Sequence, residues 1–291
     1  MPAPKLKMRY TKMKKTLALL LAVLMLFGTV MAFTSCGGND DDTLVVGYTV
    51  YAPMNFWDKD GDLEPDLEGQ GEFVGFDTEL AKLVGEKLGM EVEFKKIEWS
   101  QKYIELNSGN IDCIWNGFTS NSKDDDGIER KDKVDFTYAY LDNAQCVIVK
   151  KDKVAEFTTT ASLQGKKAAA ESGSAGESYA KSVTDADKVV GKGSQMDTFI
   201  DLKSGAVDFI VVDALLAETI VGKGDYADLA IASAIEIDAE VYSIGCRKGS
   251  DLDDKINEAL VELLNEGKIE ALATKYDVHV TKSLMDKKTA K

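Results

Sequence analysis

From residue 44 onward the apolar positions change period several times. Leu44-Val-Val-Gly-Tyr48 is a short β-rich run, whereas Phe76, Leu80, Leu83, Val84 and Leu88 recur at the spacing that puts them on one face of a helix. Asp77 is placed to cap that helix and Gly89 to stop it. A strand at 92–97, a short helix at 100–106 and a strand at 111–115 follow. The alternation then starts again, with strands at 145–149, 167–170, 188–190 and 207–212. The helices of this second run begin after 176, at 195 and at 213. A last strand at 241–246 leads into a helix spanning 252–276.

Strands alternating with helices predict an α/β fold whose mostly parallel sheets are covered on both faces, and two such runs predict two lobes. The Gly- and Asp-rich segment 58–71 is too polar to pack and is expected as a hairpin or loop. Ahead of all this, residues 1–35 hold six basic residues and no acid, and 16–35 are uncharged. That is a signal-peptide pattern, although the uncharged stretch also has about the length of a membrane-spanning helix. Its end, Phe33-Thr-Ser-Cys36, resembles a bacterial lipobox, which makes Cys36 the expected lipidation site and 36–42 a tether.

The formal net charge is −15, and because six of the 35 basic residues lie before Cys36, the rest is more acidic still. Such a surface repels nucleic acid and anionic headgroups. Cys113, Cys146 and Cys246 are too far apart for a CxxC pattern; Cys113 is expected to be buried, and a Cys146–Cys246 disulfide is possible.

A single histidine, His279, excludes Ser-His-Asp and Cys-His catalysis and a poly-His metal site. No phosphate-binding glycine motif is present, so neither metal nor cofactor is expected. Asp58-Lys-Asp-Gly-Asp-Leu-Glu64 has its glycine before the third acid, where a calcium loop needs it after, and reads as a solvated turn; Asp124-Asp-Asp-Gly127 reads likewise.

Open α/β sheets bind ligands beyond the carboxyl ends of their strands. Trp115-Asn-Gly-Phe-Thr119, Ser172-Gly-Ser-Ala-Gly176 and Asp213 occupy such ends. The glycine-rich turn can aim backbone N–H groups at an anion, an arginine can hold a carboxylate by two parallel bonds, and Asp213 can neutralise an ammonium. Together they would recognise a free α-amino acid. Each has a plainer alternative: a helix cap for the turn and for Asp213, and a solvated charge for Arg130.

In that order, the chain resembles the family 3 extracellular solute-binding proteins, the receptors of polar-amino-acid ABC importers, from about residue 44 to 277. The resemblance is carried by Tyr51-Ala-Pro-Met, Val74-Gly-Phe-Asp-Thr-Glu-Leu-Ala81, Ser108-Gly-Asn-Ile-Asp112, Glu129-Arg-Lys-Asp-Lys-Val-Asp-Phe136, Leu163-Gln-Gly-Lys-Lys, Ser204-Gly-Ala-Val-Asp208 with Asp213, and the helix that ends at Tyr276. It implies a type II periplasmic-binding-protein fold with two lobes joined by two hinge strands. Lobe 1 would comprise 43–143 and 239–285, and lobe 2 144–238, with 286–291 as a tail. Arg130 would hold the ligand carboxylate with Thr119, and the Gly117 carbonyl and Asp213 would take the ammonium. Gly173, Ser174 and Ala175 match an anion loop in which Ala175 offers only its N–H. Tyr51 and Trp99 fall on side-chain-binding positions, with Trp115 and Phe118 nearby.

Two departures from the family pattern stand out: about six extra residues between Thr119 and Arg130, and an apparent insertion at 63–72. The resemblance implies a lipid-tethered, monomeric, non-enzymatic receptor working outside the cytoplasmic membrane with an ABC permease and its ATPase. The competing readings are a dehydratase of prephenate or arogenate on the same scaffold, and a sensing or adhesive lipoprotein.

Overall fold

The computed structural model describes residues 42–66 and 69–289, all within one compact unit. The expected signal peptide, Cys36, nearly all of the tether and the last two residues of the tail lie outside the described residues. Two mixed sheets organise the fold. The first begins with β1 (Thr43–Tyr48), a hairpin of β2 (Phe56–Asp58) and β3 (Glu72–Val74) beside it, helix α1 (Phe76–Leu88), β4 (Glu91–Lys96), α2 (Lys102–Asn107) and β5 (Cys113–Ile114). Helix α3 (Arg130–Lys133) and β6 (Asp135–Phe136) follow, and then β7 (Leu141–Lys150) carries the chain into the second sheet. There, β8 (Ala168–Glu171), α4 (Ala175–Val183), β9 (Val189–Lys192), α5 (Gln195–Ser204), β10 (Phe209–Asp213), α6 (Ala214–Ile220) and β11 (Leu229–Ile231) succeed one another. The return is through β12 (Ala239–Tyr242) and β13 (Gly245–Cys246), ending with α7 (Leu252–Asn265), α8 (Lys268–Tyr276) and α9 (Lys282–Met285).

The first sheet has the order β4-β1-β5-β13-β6, the second β11-β7-β10-β8-β9. Only β7 and β12 run between them, paired antiparallel with Asn143 opposite Glu240 and Ala144 opposite Ala239. In β1, Leu44 and Val46 face one core cluster while Val45 faces another, the period-two split of a strand covered on both sides. β7 and β10 behave the same way: Ile148, Ile210 and Val212 pack on one side, Val147, Val149, Phe209 and Val211 on the other.

Three expectations are corrected. The strand expected at 241–246 is two strands, because the chain leaves β7 after Tyr242 and enters the first sheet at Gly245. The helix expected across 252–276 breaks at Gly267, whose φ of +75° no helix accommodates. Asp77 does not cap α1. Its N-terminal amides are met by backbone, with Phe76 N–H donating to Pro53 O at 2.8 Å and Asp77 N–H to Met54 O at 3.1 Å. The segment 58–71 does leave the core as the β2–β3 hairpin loop, with Asp58 accepting from Gly61 N–H at 2.8 Å.

A Cys146–Cys246 disulfide is not formed. Cys113, Cys146 and Cys246, the cysteines among the described residues, are all buried and free; Cys146 lies opposite Val212 in the second sheet, whereas Cys246 lies opposite Cys113 in the first.

The helix start depends on Gly75, whose φ is +131° and whose added Cβ would fall 2.0 Å from Met54 O. Gly75→Ala is expected to destabilise the fold by about 2–5 kcal/mol, read as a lower urea midpoint with unchanged m-value. An unaltered midpoint would contradict this account of α1.

Candidate functional site

Between the two sheets lies a narrow cavity lined by Trp99, Asn116, Gly117, Thr119 and Arg130 from the first and by Gln145, Glu171, Ser174, Ala175, Gln195 and Asp213 from the second. Its floor is the turn after β5, held by polar side chains buried in the apolar core. Asn55 Nδ2 donates to Asn116 Oδ1 at 2.7 Å and Asn55 Oδ1 accepts from the Thr78 hydroxyl at 2.8 Å, while Asn116 Nδ2 donates to Thr49 Oγ1 at 2.6 Å. Asp77 accepts from Gly117 N–H at 2.9 Å and from the Tyr140 hydroxyl at 2.8 Å. Gly117 has φ +58°, and a Cβ there would meet the Tyr51 and Tyr242 rings at 2.8 and 2.9 Å. The aromatic pair therefore supports the turn from below, its hydroxyls 2.7 Å apart.

Arg130 is 1 % exposed. The acidic insertion before it folds into a small hairpin: Lys123 bridges Glu129, Asp124 N–H donates to Ile128 O at 3.0 Å, and Gly127 takes φ +77°. Arg130 N–H then donates to Ser122 O at 3.1 Å, so the extra residues return the chain to the cavity. The hairpin also supplies the counter-ion: Arg130 Nε donates to Asp124 Oδ1 at 2.9 Å and Nη1 to Thr119 O at 3.1 Å, and the guanidinium lies 5.2 Å from the centre of the Phe118 ring. Burial pushes the Asp124 carboxyl up, but hydrogen bonds from Lys133 and Tyr103 outweigh it and hold the group below its ordinary value.

The second sheet answers with acids. Asp213 Oδ1 accepts from Asn143 at 2.9 Å and Gln145 at 2.6 Å, Oδ2 accepts from Gln195, and Gln195 Oε1 takes the Asp213 N–H at 2.9 Å. The same two amides, Asn143 and Gln145, also donate to Glu240 Oε1. Burial raises both carboxyls, that of Glu240 to about 7 with Asp213 adding to the rise.

Ser174 caps α4 by accepting from Glu177 N–H at 3.0 Å, and Glu177 in turn accepts from Gly173 N–H at 2.7 Å. Ser174 N–H donates to Glu171 O at 3.1 Å. Of the three amides of this loop, the one at Ala175 has no carbonyl within the helix to take it, because it opens the first turn.

The two halves also touch directly. Gly173 O accepts from Lys102 Nζ at 3.0 Å and Arg130 Nη2 at 3.3 Å, and Asp125 of the inserted hairpin pairs with Lys181 and accepts from the Ser178 hydroxyl at 2.7 Å. Lys102 is buried among Trp99, Tyr103 and Phe118, and desolvation followed by the Arg130 charge lowers its pKa to about 7.

Of the residues expected at the site, Trp99, Gly117, Thr119, Arg130, Ser174, Ala175 and Asp213 meet at this cavity, and Gly173 contributes its carbonyl to the closure. Tyr51, Trp115 and Phe118 are buried behind the wall: Tyr51 under Gly117, Trp115 against Tyr140, and Phe118 edge-on to Trp99 with ring centres 5.2 Å apart. Sequence reasoning missed Asp77, Lys102, Asn143, Gln145, Glu171, Gln195 and Glu240. Gln145 and Glu171, polar residues at the ends of the apolar runs Cys-Val-Ile-Val and Ala-Ala-Ala, carried a signal of the same kind as Asp213.

Comparison with known proteins agrees with this architecture. The model of the bacterial extracellular solute-binding proteins, family 3, matches residues 44–279. An arginine-binding extracellular protein, ArtP, from Bacillus subtilis is 28% identical over 273 residues, covering 91% of this chain and 98% of its own. Among solved structures, an ancestral arginine-binding protein bound to arginine is 33% identical with a TM-score of 0.69, covering 81% of this chain and 98% of its own. An ancestral amino acid-binding protein described as a precursor of cyclohexadienyl dehydratase is 28% identical with a TM-score of 0.67, covering 81% of this chain and 95% of its own.

Burial raises the Asp77 carboxyl from 3.8 to about 7 against its hydrogen bonds with Tyr140 and Gly117. The folded state therefore binds this proton more tightly than the unfolded chain, and its contribution to stability falls as pH rises through that window. Wild type should lose a few kcal/mol relative to Asp77→Asn between pH of about 4 and 7, measured by urea unfolding. A constant difference across that range would contradict the assignment.

The chain therefore belongs to the bacterial extracellular solute-binding proteins of family 3, and its fold is their two-lobe fold.

Proposed function

We propose that the protein captures a free amino acid between its lobes and delivers it to the permease and ATPase of an ABC importer. In this reading Arg130 and the Thr119 hydroxyl hold the α-carboxylate, with the Ala175 N–H opposite, and Asp213 and the Gly117 carbonyl hold the ammonium. Trp99 lies along the ligand's side chain. The observation that carries the reading is the placement of a buried cation, Arg130, on one wall of the cavity and a buried acid, Asp213, on the other, the two walls belonging to different lobes. A ligand that engages both stabilises the closed arrangement and not the open one, which is what a permease must distinguish. Lobe boundaries at 143/144 and 238/239, a monomeric state, and attachment to the outer side of the cytoplasmic membrane through lipid on Cys36 complete the proposal.

A second reading, a dehydratase on this scaffold, requires a general acid in the cleft. Glu171 is a buried carboxyl on its wall, raised by desolvation and then by Asp213. Incubation with prephenate decides between the two readings: an aromatic product would establish the dehydratase, and unreacted prephenate would leave the receptor.

Arg130→Ala should reduce amino-acid affinity by about a hundredfold or more, because it removes a bidentate charged contact to the ligand carboxylate, while Asp124 keeps its ion pair with Lys133. Calorimetry on folded variant protein, with folding checked by circular dichroism, reads the loss; undiminished binding would refute the carboxylate assignment.

A further inference from the structure

The charges in the cleft are not balanced by a zwitterion alone. Arg130 and Asp213 account for the carboxylate and ammonium of an amino acid, and Glu240 shares the Asn143 and Gln145 amides with Asp213. Glu171 remains. It ends β8, lines the cavity, is 2 % exposed, and its Oε1 has no hydrogen-bond partner among the described residues. The side-chain amide donors around it are committed: Gln195 to Asp213, and Asn143 and Gln145 to the two other acids. Lys102, the cation on this side, is held by Gly173 O at 3.0 Å and Trp99 O at 3.4 Å and forms no ion pair with it.

The surroundings sharpen the imbalance. Outside the cavity a wider groove between the lobes is lined by Trp57, Tyr226, Glu98 and Asp197, with Lys96 at its edge. Glu98 Oε2 and Asp197 Oδ2 flank Gly193, each within 3.5 Å of where a Cβ would stand. Beyond desolvation and Asp213, Glu98 and Asp197 both push the Glu171 carboxyl up further, so the negative charge of this groove reaches it, and the Trp99 indole lines the same cavity as Glu171.

A buried carboxyl oxygen without a partner is costly, and a neutral, non-donating side chain would leave it so. A guanidinium or alkylammonium supplies both the missing donors and the missing charge, and its chain can lie along the indole. We infer that the ligand is an amino acid whose side chain carries a positive charge, and that Glu171 receives that charge. The inference rests on the proposal that Arg130 and Asp213 hold the α-carboxylate and α-ammonium.

Citrulline has the shape of arginine without its charge, so titrating the purified receptor with L-arginine, L-lysine, L-citrulline, L-glutamine and L-cystine isolates the effect. Arginine or lysine should bind about tenfold to a hundredfold more tightly than citrulline and glutamine. Glu171→Gln, close to isosteric, should lower the arginine-to-citrulline affinity ratio by about tenfold. A wild type that binds citrulline, glutamine or cystine as tightly as arginine overturns this inference while leaving the amino-acid receptor intact. A ratio unchanged by Glu171→Gln overturns the role of Glu171. Binding of no amino acid at all overturns the underlying reading as well.

Discussion

A guanidinium does not lose its proton inside a protein, so Arg130, once buried, has to be met by charge and by acceptors wherever it points. Much of the architecture around the cleft answers that demand. The inserted hairpin brings Asp124 to Nε, the turn after β5 brings the Thr119 carbonyl to Nη1, Phe118 lies against the guanidinium, and the opposite lobe brings the Gly173 carbonyl to Nη2. Removing any one of these leaves a charge in a medium where Coulombic terms are several times stronger than in water. The insertion between Thr119 and Arg130 is consequently part of the site, because its first acid balances the clamp and its second reaches Lys181 on the other lobe.

The two halves of the cleft solve opposite problems with the same means. On one side of the cavity a cation is surrounded by oxygen atoms; on the other, Asp213 and the Glu240 of connecting strand β12 are met by amide N–H groups from Asn143 and Gln145, with Gln195 adding a third to Asp213. Amides suit this task because they supply hydrogen-bond donors without bringing a positive charge of their own. Glutamines placed on a strand and at a helix start also hold the acid by geometry, since their own chains are fixed by the sheet and by α5.

The fold was legible in the sequence where pattern and local chemistry agree. The periodicity of 76–88, the β-branched runs at 44–46 and 209–212 and the glycine stop at Gly89 all have local causes, and each element stands where the sequence puts it. Other features are set by partners distant in the chain. The break between Tyr242 and Gly245 exists because two different sheets compete for that segment. Asp77 reads as a helix cap, yet it serves a turn forty residues away. At the site, the residues marked by strand ends were visible, whereas Lys102 and Glu240 were not, because only the approach of the second sheet gives a lysine at a helix start and a glutamate on a connecting strand a role there.

The lobes are connected only by β7 and β12, and the residues opposite each other where those strands cross are Asn143 and Glu240. The Asn143 side chain reaches Asp213 and the Glu240 side chain shares its amides. The connection between the two sheets and the hydrogen bonds of Asp213 are therefore built from the same few side chains. Because Asn143 and Gln145 both lie on β7, the strand that carries the chain from one sheet to the other also fixes the donors that hold this carboxylate.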